Sequence, residues 1–500
     1  MQASTSKRTR VCVPVCEKDL AALRNACELA TEWADVIELR LDCLNEIPDD
    51  AASVLNNFSR PVILTFRPTE QGGYRNSTRA ERQVFWTSLA PQIDSDWWDM
   101  EGDLVHDLSL DFSRIIVSHH DFSGVPEDLE QIYERLAGTP AAVVKIAVQA
   151  NDITDCLPVF NLLECARREG KKLIAIAMGN AGLATRILGP SRGSFLTYGA
   201  VDDDRGTAPG QVNARKLRSL YHVDQIDSET MICGLVGLPV MHSVSPHVHN
   251  AAFASEDVNG VYLPFEVRDV REFFRRMVHP RSRELNWNLR GLSITAPHKQ
   301  TVRECLDWID PQAEEIGAVN TVVVDRDRLL GYNTDADGFI DPLISRFRSL
   351  NGARVAIVGA GGAVRAAMYA LRRHHARITL FARDVLKAQP LAQFFDVSCE
   401  ALAGASFAGY DFVVNATPLG SGAHLDQTPV TEEQLNGVGC VYDLIYNPRE
   451  TRLMREAHAA GCKTLGGLEM LIAQAKLQFE LWTGKKPTPS AISEALRNVL

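Results

Sequence analysis

The stretch RIIVSHHDF, residues 114–122, has the composition of a buried β-strand that ends in polar side chains. Successive residues of a strand point to opposite faces, so His119 shares a face with Val117, whereas His120 shares a face with Ser118. The face of His120 is the more polar one. We therefore expect His120 to point into a site, and His119 to pack or to play a supporting role.

Similar short runs of strand-forming residues recur through the first half of the chain, and helical patterns separate most of them. The runs are VCVPV (11–15), DVIELRLD (35–42), PVILTFR (61–67), WWDME (97–101), RIIVSHHD (114–121), AVVKIAV (142–148), LIAIAM (173–178) and SFLTYGAV (194–201). Alternation of strands and helices predicts a parallel sheet. Eight such units within residues 11–222 predict a closed (β/α)8 barrel, whose site lies at the carboxyl ends of its strands. Only the helix after the fourth strand is weakly marked.

Charged side chains stand inside or at the ends of several of these strands, where burial is costly unless the charges are paired or used. They are Glu38, Arg40, Asp42, Arg67, Glu101 and Lys145. Apolar residues flank Lys145, which predicts a desolvated amine of lowered pKa that is suited to Schiff-base formation. A nearby histidine could then move the proton. Structural ion pairs are the alternative interpretation, but so many charges at one end of a barrel favour a site.

Composition restricts the class of protein. The chain has 500 residues, 45% of them apolar, and a net charge of −11. This length predicts two or three domains, and the acidic balance without a basic run argues against a nucleic-acid or anionic-membrane partner. No apolar run is long enough to span a bilayer, and the N-terminus lacks the features of a signal or transit peptide. Eleven cysteines without a C-x-x-C pair predict reduced thiols and a cytoplasmic location.

Three motifs of the first half, SHHDF, VVKIAV and TAPGQ, resemble those of type I 3-dehydroquinate dehydratases, over residues 10–222. The resemblance implies that Lys145 forms an imine with the substrate ketone, and that His120 removes the neighbouring proton and later assists loss of a hydroxyl as water. It implies that Glu101 orients His120 and that no cofactor is needed. The remaining implied pocket residues are Glu38, Arg40, Arg67, Arg186, Thr207 and Gln211, where Thr207 stands in place of a frequent serine.

A short polar connection at 222–230 precedes a second set of motifs, which begins with GLVGLPVMHSVSPHVHNAAF (234–253). Three histidines lie here, His242, His247 and His249. No cysteine or carboxylate stands at zinc-ligand spacing, so we expect no metal. Ser243 and Ser245 open a helix and are placed to donate to a carboxylate, although ordinary capping serines have the same pattern.

The segment NGARVAIVGAGGAVRAAMYAL (351–371) predicts a strand, a glycine-rich turn and a helix, the pattern that holds a dinucleotide pyrophosphate. The next predicted strand, RITLFARD (377–384), ends in Arg383, and Lys387 follows one helical turn later. Both cations favour the 2′-phosphate of NADP, whereas Asp384 opposes it.

The motifs HSVSP, ITAPHK, GAVNT, NTDADG, GAGGA, NATPLG, DLIYNP and GLEMLIAQA resemble, in this order, those of shikimate dehydrogenases over residues 231–500. The resemblance implies that Lys299 and Asp335 form a catalytic pair, which suits the protonation of an alkoxide left by hydride transfer. The implied substrate-binding residues are Ser243, Ser245, Thr295, Asn320, Tyr446 and Gln474. The implied NADP(H) contacts are Gly359, Ala360, Gly361, Gly362, Ala363, Arg383, Lys387, Asn415, Thr417 and Gly467. Departures from the family pattern are Ser293 and Ala382, each in place of an asparagine, and Leu419 and Ser421.

We therefore predict an α/β protein with a (β/α)8 barrel over 1–224, a substrate domain over 229–338 that helices of 468–500 complete, and a Rossmann domain over 339–467. The first half would dehydrate 3-dehydroquinate to 3-dehydroshikimate, and the second would reduce that product with NADPH to shikimate. We expect a monomer or a homodimer whose partners are these small molecules.

Two other functions are consistent with the same motifs. The second half could be a quinate dehydrogenase, but the intact pair Ser243 and Ser245 argues against this. The chain could also be a quinate- or shikimate-sensing regulator that has lost its chemistry. Such a protein should lack Lys145, His120 or Lys299, and all three are present.

Overall fold

The first sheet is a parallel barrel. The computed structural model describes residues 8–48, 51–497 and 499. The strands of the first half are β1 (Val11–Val15), β2 (Val36–Arg40), β3 (Val62–Thr65), β4 (Trp97–Glu101), β5 (Ile115–Asp121), β6 (Val143–Gln149), β7 (Leu173–Met178) and β8 (Thr197–Tyr198). They pair in parallel in the order β7-β6-β5-β4-β3-β2-β1-β8. A bridge between Leu173 and Ser194 brings the chain before β8 back to β7, so the barrel nearly closes, and the predicted architecture is confirmed.

Amphipathic helices cover the outside of this barrel. They are α1 (Leu20–Ala30), α2 (Ala51–Val54), α3 (Arg79–Val84), α4 (Leu129–Ala137), α5 (Cys156–Glu169), α6 (Leu183–Leu188) and α7 (Ala214–Ser219). In α4 the buried residues recur at helical spacing, from Leu129 through Ile132 and Tyr133 to Leu136, which gives the helix one apolar face. Between β4 and β5 the described chain forms turns instead of an α-helix, in agreement with its weak helical pattern.

Strand parity divides the barrel interior into an apolar layer and a charged layer. The inward-facing apolar side chains pack as one cluster that includes Cys12, Val36, Ile63, Ile116, Val143, Ile174 and Tyr198. Moving two residues along several of these strands gives an inward-facing polar side chain, such as Glu38 after Val36 and Lys145 after Val143. Because all strands are parallel, these polar side chains collect at the carboxyl end of the barrel.

A second, mixed sheet follows the barrel. Its strands are β9 (Met231–Gly237), β10 (Gly260–Glu266), β11 (Leu289–Ile294), β12 (Trp308–Ile309), β13 (Thr321–Asp325) and β14 (Arg328–Tyr332), in the order β10-β9-β11-β13-β14-β12. The accompanying helices are α8 (Ser245–Ser255), α9 (Val270–Phe273) and α10 (Pro311–Ile316). One buried apolar cluster continues from the barrel into this sheet, where α6 packs against β10. The polar connection at 222–230 therefore joins two units that share a core.

The third sheet is parallel, with strands β15 (Arg354–Val358), β16 (Arg377–Ala382), β17 (Ser398–Ala401), β18 (Phe412–Asn415), β19 (Cys440–Asp443) and β20 (Lys463–Gly466) in the order β17-β16-β15-β18-β19-β20. Its helices are α11 (Asp335–Phe347), α12 (Gly362–Arg373), α13 (Val385–Phe395), α14 (Arg452–Ala459), α15 (Gly467–Thr483) and α16 (Pro489–Arg497). The strand order reverses beside β15, which creates a crevice at the carboxyl ends of β15 and β18. Helices α15 and α16 return to pack against α8.

The ends of the predicted domains 1–224 and 468–500 fall partly outside the described residues, because 1–7, 498 and 500 are not described. None of the helices in the described part of the chain has the length and apolar content of a membrane span.

The cysteines correct one prediction. Cys16 and Cys43 form a disulfide, with their Cα atoms 5.4 Å apart, whereas the sequence predicts reduced thiols throughout. Cys16 follows β1 and Cys43 lies just after β2, and these strands are neighbours in the barrel. The pairing is created by the tertiary fold and leaves no signature in the spacing. The other nine cysteines are free.

Candidate active sites

A small cavity at the carboxyl end of the barrel, with a volume of about 50 Å³, brings together most of the residues predicted for the first half. The predicted residues that line it are Glu38, Arg40, Arg67, His120, Lys145, Arg186, Thr207 and Gln211. Gln71, Phe122 and Tyr198 also line it, and the sequence did not single them out.

Lys145 lies in a polar setting inside this cavity. Its Nζ is 2.7 Å from Oδ2 of Asp99 and 3.9 Å from Oε1 of Glu38, and it stands 4.4 Å from the ring centroid of Tyr198. The apolar residues next to Lys145 in sequence point to the other face of the strand. The amine is buried, as its apolar sequence neighbours predict, but it has a carboxylate partner that the sequence did not reveal.

Asp99, the partner of Lys145, is another residue that the sequence does not single out. It is fully buried, and its Oδ2 is also 2.8 Å from Nη2 of Arg67. Burial alone would raise the pKa of the Asp99 carboxyl, but the charges of Arg67 and Lys145 hold this pKa well below its usual range. Asp99 precedes Glu101 by two residues on β4, so parity alone could have placed it on the same inward face.

His120 is held from two sides. Its Nδ1 lies 2.8 Å from Nη1 of Arg67, and its backbone N–H donates to Oε1 of Gln71 at 2.8 Å. A guanidinium can only donate, so Nδ1 of His120 is the acceptor and the neutral ring carries its hydrogen on Nε2. Burial, reinforced by the charge of Arg67, lowers the pKa of His120 well below its usual value. His120 is thus a neutral base whose Nδ1 is occupied by Arg67.

Glu101 does not contact His120, which corrects the predicted orienting role. Its carboxylate pairs with Arg82 at 3.0 Å and lies 3.6 Å from Arg67, and it lines a neighbouring cavity together with His119. The physical reason is its height on β4: Glu101 pairs in register with Ser118, one inward position below His120. Burial raises the pKa of Glu101 to about 7 against the pull of Arg67. Glu101 therefore acts on Arg67, which in turn contacts His120.

Arg186 is a buried cation without a carboxylate partner among the described residues. It is 1% exposed, its Nη2 makes one long hydrogen bond to the Pro209 carbonyl at 3.4 Å, and its Nε has no partner. Burial lowers the pKa of Arg186 to about 10. Nearby, the Thr207 backbone N–H donates to Oε1 of Gln211 at 2.8 Å. An anionic substrate group would complete the coordination of Arg186.

A larger cavity, of about 400 Å³, lies between the second and third sheets. The predicted residues that line it are Ser243, Ser245, Thr295, Lys299, Asn320, Asp335, Tyr446 and Gln474. Nζ of Lys299 is 2.5 Å from Oδ2 of Asp335, the first residue of α11, and Nδ2 of Asn320 donates to the other carboxylate oxygen at 2.8 Å. The Asn320 amide thus fixes Oδ1 of Asp335, while Oδ2 faces the amine of Lys299.

Hydroxyl groups form one wall of this cavity. The Ser243 hydroxyl donates to that of Ser245 at 3.1 Å. Ser293, a departure from the family pattern, donates to Oε1 of Gln478 at 2.7 Å and accepts from the Tyr262 hydroxyl at 2.8 Å. Gln478 is not among the predicted residues, although it follows Gln474 by one helical turn on α15. Hydroxyl and amide groups in this number suit a polyhydroxylated acid.

A groove beside Lys299 lies at the glycine-rich turn that precedes α12. It is lined by Gly362 and Ala363 at the start of α12 and by Thr417 after β18, and its volume is about 400 Å³. Gly359 has φ of 112°, and a Cβ added there would lie 3.0 Å from Thr417, so only glycine permits this close approach. Oδ1 of Asn415 accepts from the Thr417 backbone N–H at 2.9 Å and fixes that turn.

The remaining predicted cofactor residues lie outside the groove. Arg383 and Lys387 are exposed at the end of β16 and the start of α13. Between them, Oδ1 of Asp384 caps α13 by accepting from the Lys387 backbone N–H at 3.1 Å. Gly467 lines the larger cavity rather than the groove.

Different family models match the part of the chain that forms the barrel cavity and the part that forms the larger cavity. Residues 11–228 match the model of type I 3-dehydroquinase, 235–322 match the shikimate dehydrogenase substrate binding domain, and 467–497 match the shikimate 5′-dehydrogenase C-terminal domain.

Two relatives match nearly the whole chain. A bifunctional 3-dehydroquinate dehydratase/shikimate dehydrogenase, chloroplastic, from Arabidopsis thaliana is 33% identical, covering 96% of this chain and 83% of the relative. A shikimate biosynthesis protein AroDE from Chlamydia pneumoniae is 30% identical, covering 93% of each chain. A crystal structure of a shikimate dehydrogenase in complex with NADP+ matches with a TM-score of 0.51 and 36% identity, covering 55% of this chain and 96% of that chain.

Proposed function

Because the chain belongs to the family of bifunctional 3-dehydroquinate dehydratase/shikimate dehydrogenases, we propose that its two cavities catalyse two consecutive reactions. The barrel half dehydrates 3-dehydroquinate to 3-dehydroshikimate, and the second half reduces 3-dehydroshikimate to shikimate with NADPH. The observation that carries this proposal is that each cavity is lined by a lysine whose amine contacts a carboxylate within 2.7 Å, Asp99 for Lys145 and Asp335 for Lys299.

In the barrel cavity, we propose that Lys145 is the nucleophile. Its amine adds to the substrate ketone, and loss of water gives an imine that acidifies the neighbouring C–H bond. His120 takes that proton and returns it to the departing hydroxyl, which leaves as water. Hydrolysis of the imine then frees the product and Lys145. The unpaired guanidinium of Arg186 supports a role in holding the substrate carboxylate.

The contact between Arg67 and His120 suggests how the base is released. The lone pair on Nδ1 of His120, which accepts from Arg67, is the one lone pair of the neutral ring. For His120 to accept a substrate proton there, Arg67 must turn its N–H away. A substrate hydroxyl beside Arg67 supplies an alternative acceptor, so we propose that substrate binding itself frees the base.

In the second cavity, Lys299 and Asp335 are the proposed proton-handling pair. Bound NADPH supplies the hydride that reduces the ketone carbon. Lys299 delivers the proton to the substrate oxygen, and Asp335 keeps the amine oriented through the 2.5 Å contact. The serine pair, Thr295, Tyr446 and Gln474 are proposed to hold the carboxylate and hydroxyls. The groove beside Lys299 is where the glycine turn would hold the cofactor pyrophosphate.

The finer assignments of cofactor and location are also proposals. We propose a preference for NADP(H) over NAD(H), supported by the exposed cations Arg383 and Lys387. The dehydratase chemistry described above uses only side chains. The nine free cysteines support a cytoplasmic location, although the Cys16–Cys43 disulfide does not.

Two matched single variants test the division of labour. Lys145→Ala should abolish dehydration of 3-dehydroquinate while leaving reduction of 3-dehydroshikimate intact, and Lys299→Ala should do the reverse. Each variant controls for the folding of the other, because its spared activity reports an intact chain. Loss of both activities in either variant, or of neither, would contradict the proposal.

A further inference from the structure

Tyr198 has a buried hydroxyl that no oxygen or nitrogen atom of the described residues pairs with. It is the last residue of β8, lies in register with Cys12 of β1, and is 4% exposed. Within the described part of the chain its Oη has no hydrogen-bond partner. The thiol of Cys12 lies beside this hydroxyl and interacts with it only weakly, since sulfur is a poor hydrogen-bond acceptor.

An unpaired phenol is unusual in a protein interior. Buried tyrosine hydroxyls are generally paired, since an unsatisfied donor loses its hydration without compensation. A phenylalanine would fill nearly the same volume at β8 without that cost. The hydroxyl can therefore take a stronger acceptor than the weak one that the polypeptide supplies.

The surroundings of Tyr198 indicate what this partner is. The residue lines the barrel cavity, and the Nζ of Lys145 lies 4.4 Å from the centroid of its ring. Burial, together with the charge of Glu38, raises the pKa of Tyr198 well above its usual value, so the hydroxyl keeps its proton. It is a neutral donor on a ring that lies against the amine at which the ketone reacts.

We propose that Tyr198 is a further catalytic residue of the dehydratase, whose hydroxyl donates a hydrogen bond to the substrate ketone oxygen while Lys145 forms the imine. As the N–C bond forms, the C=O electron pair moves to that oxygen, where the donor stabilises the developing charge. The oxygen then leaves as water with the two hydrogens of the amine. The tyrosine proton is not consumed. This inference rests on the imine at Lys145 proposed above.

The test is the rate of imine formation in the full-length Tyr198→Phe variant. Full-length protein at saturating 3-dehydroquinate is quenched with borohydride at successive times, and the reduced adduct on Lys145 is measured by mass spectrometry. The rate of adduct formation should fall by about 10²- to 10³-fold, as for removal of one oxyanion donor. The melting temperature should stay level or rise, since an unpaired hydroxyl is removed. Tyr221→Phe is the matched control, because Tyr221 is also buried in this half but lines neither cavity.

The outcomes separate this inference from the proposed function. An unchanged trapping rate in Tyr198→Phe would overturn the inference while the wild-type adduct still supports the imine. A slower rate accompanied by a lower melting temperature would also overturn it, because packing would then explain both. Absence of a Lys145 adduct in the unmodified protein would instead contradict the proposed dehydratase mechanism.

Discussion

Asp99 bridges two cations in the barrel: its Oδ2 lies 2.7 Å from Nζ of Lys145 and 2.8 Å from Nη2 of Arg67. All three residues are at most 5% exposed. One carboxylate therefore fixes both the proposed nucleophile and the arginine that contacts His120. Removing that charge should disturb the site more than removing any exposed carboxylate nearby.

Asp99→Asn should destabilise the chain and suppress dehydration. Breaking a buried pair from one side leaves uncompensated charge, at a cost of about 3–5 kcal/mol in the free energy of unfolding. Asp107→Asn is the control, because Asp107 pairs with Arg79 where the side chains are 35% and 53% exposed, and such pairs contribute about 0–1 kcal/mol. Denaturant unfolding and steady-state dehydration rates measure both effects. Equal stability of the two variants would contradict the bridging role.

The pH dependence of dehydration should reflect the lowered pKa of His120. A base must be neutral to accept a proton, and a pKa well below 6.5 keeps His120 neutral at moderately acidic pH. The acid limb of kcat/KM, measured between about pH 4 and pH 8, should therefore lie well below pH 6.5. A limb at or above pH 6.5 would contradict this prediction. If such a limb disappeared in Glu101→Gln, the titrating group would be Glu101, whose pKa burial raises to about 7.

Cofactor preference should depend on Arg383. A charge-assisted contact with the 2′-phosphate is worth about 1.5–3 kcal/mol, roughly ten- to over a hundredfold in affinity. Arg383→Ala should therefore weaken NADP binding by about that factor and leave NAD binding unchanged. Asp384→Ser should tighten NADP while still capping α13, since serine is also a good N-cap. Dissociation constants for both cofactors decide this, and equal use of NADP and NAD by the unmodified enzyme would contradict it.

The barrel half should work without the rest of the chain. No described residue after 224 lines the barrel cavity, so a fragment of residues 1–224 should retain dehydration activity. It should also melt at a lower temperature than the full chain, because α6 loses its apolar contact with β10. Circular dichroism and a dehydration assay test this. A folded but inactive fragment would show that the second half completes the first site.

The alternation of side chains along a strand predicts several residues of the barrel site. It placed His120 inside the barrel and His119 outside the cavity, and the alternation of strands and helices gave the barrel itself. Parity gives the face of a strand but not the height at which neighbouring strands meet. The structure therefore puts Glu101 one position below His120 and makes Asp99 the partner of Lys145.

Contacts between segments that are distant in the chain cannot be predicted from the sequence, because they depend on which strands become neighbours. The Cys16–Cys43 disulfide exists because β1 and β2 are neighbours, and no spacing rule for cysteines describes it. The hydroxyl chain from Tyr262 through Ser293 to Gln478 joins two strands and a C-terminal helix. Such residues can be assigned to the site only once the neighbouring strands and helices are known.

The most direct test of the central claim is a coupled assay in which the unmodified chain receives 3-dehydroquinate and NADPH, with the products identified by mass spectrometry. We expect NADPH to be oxidised in an amount equal to the shikimate formed, after a transient of 3-dehydroshikimate. Lys145→Ala should stop NADPH oxidation unless 3-dehydroshikimate is added directly. Oxidation of NADPH with quinate as the product, persisting in Lys145→Ala, would instead show that the second half reduces 3-dehydroquinate itself.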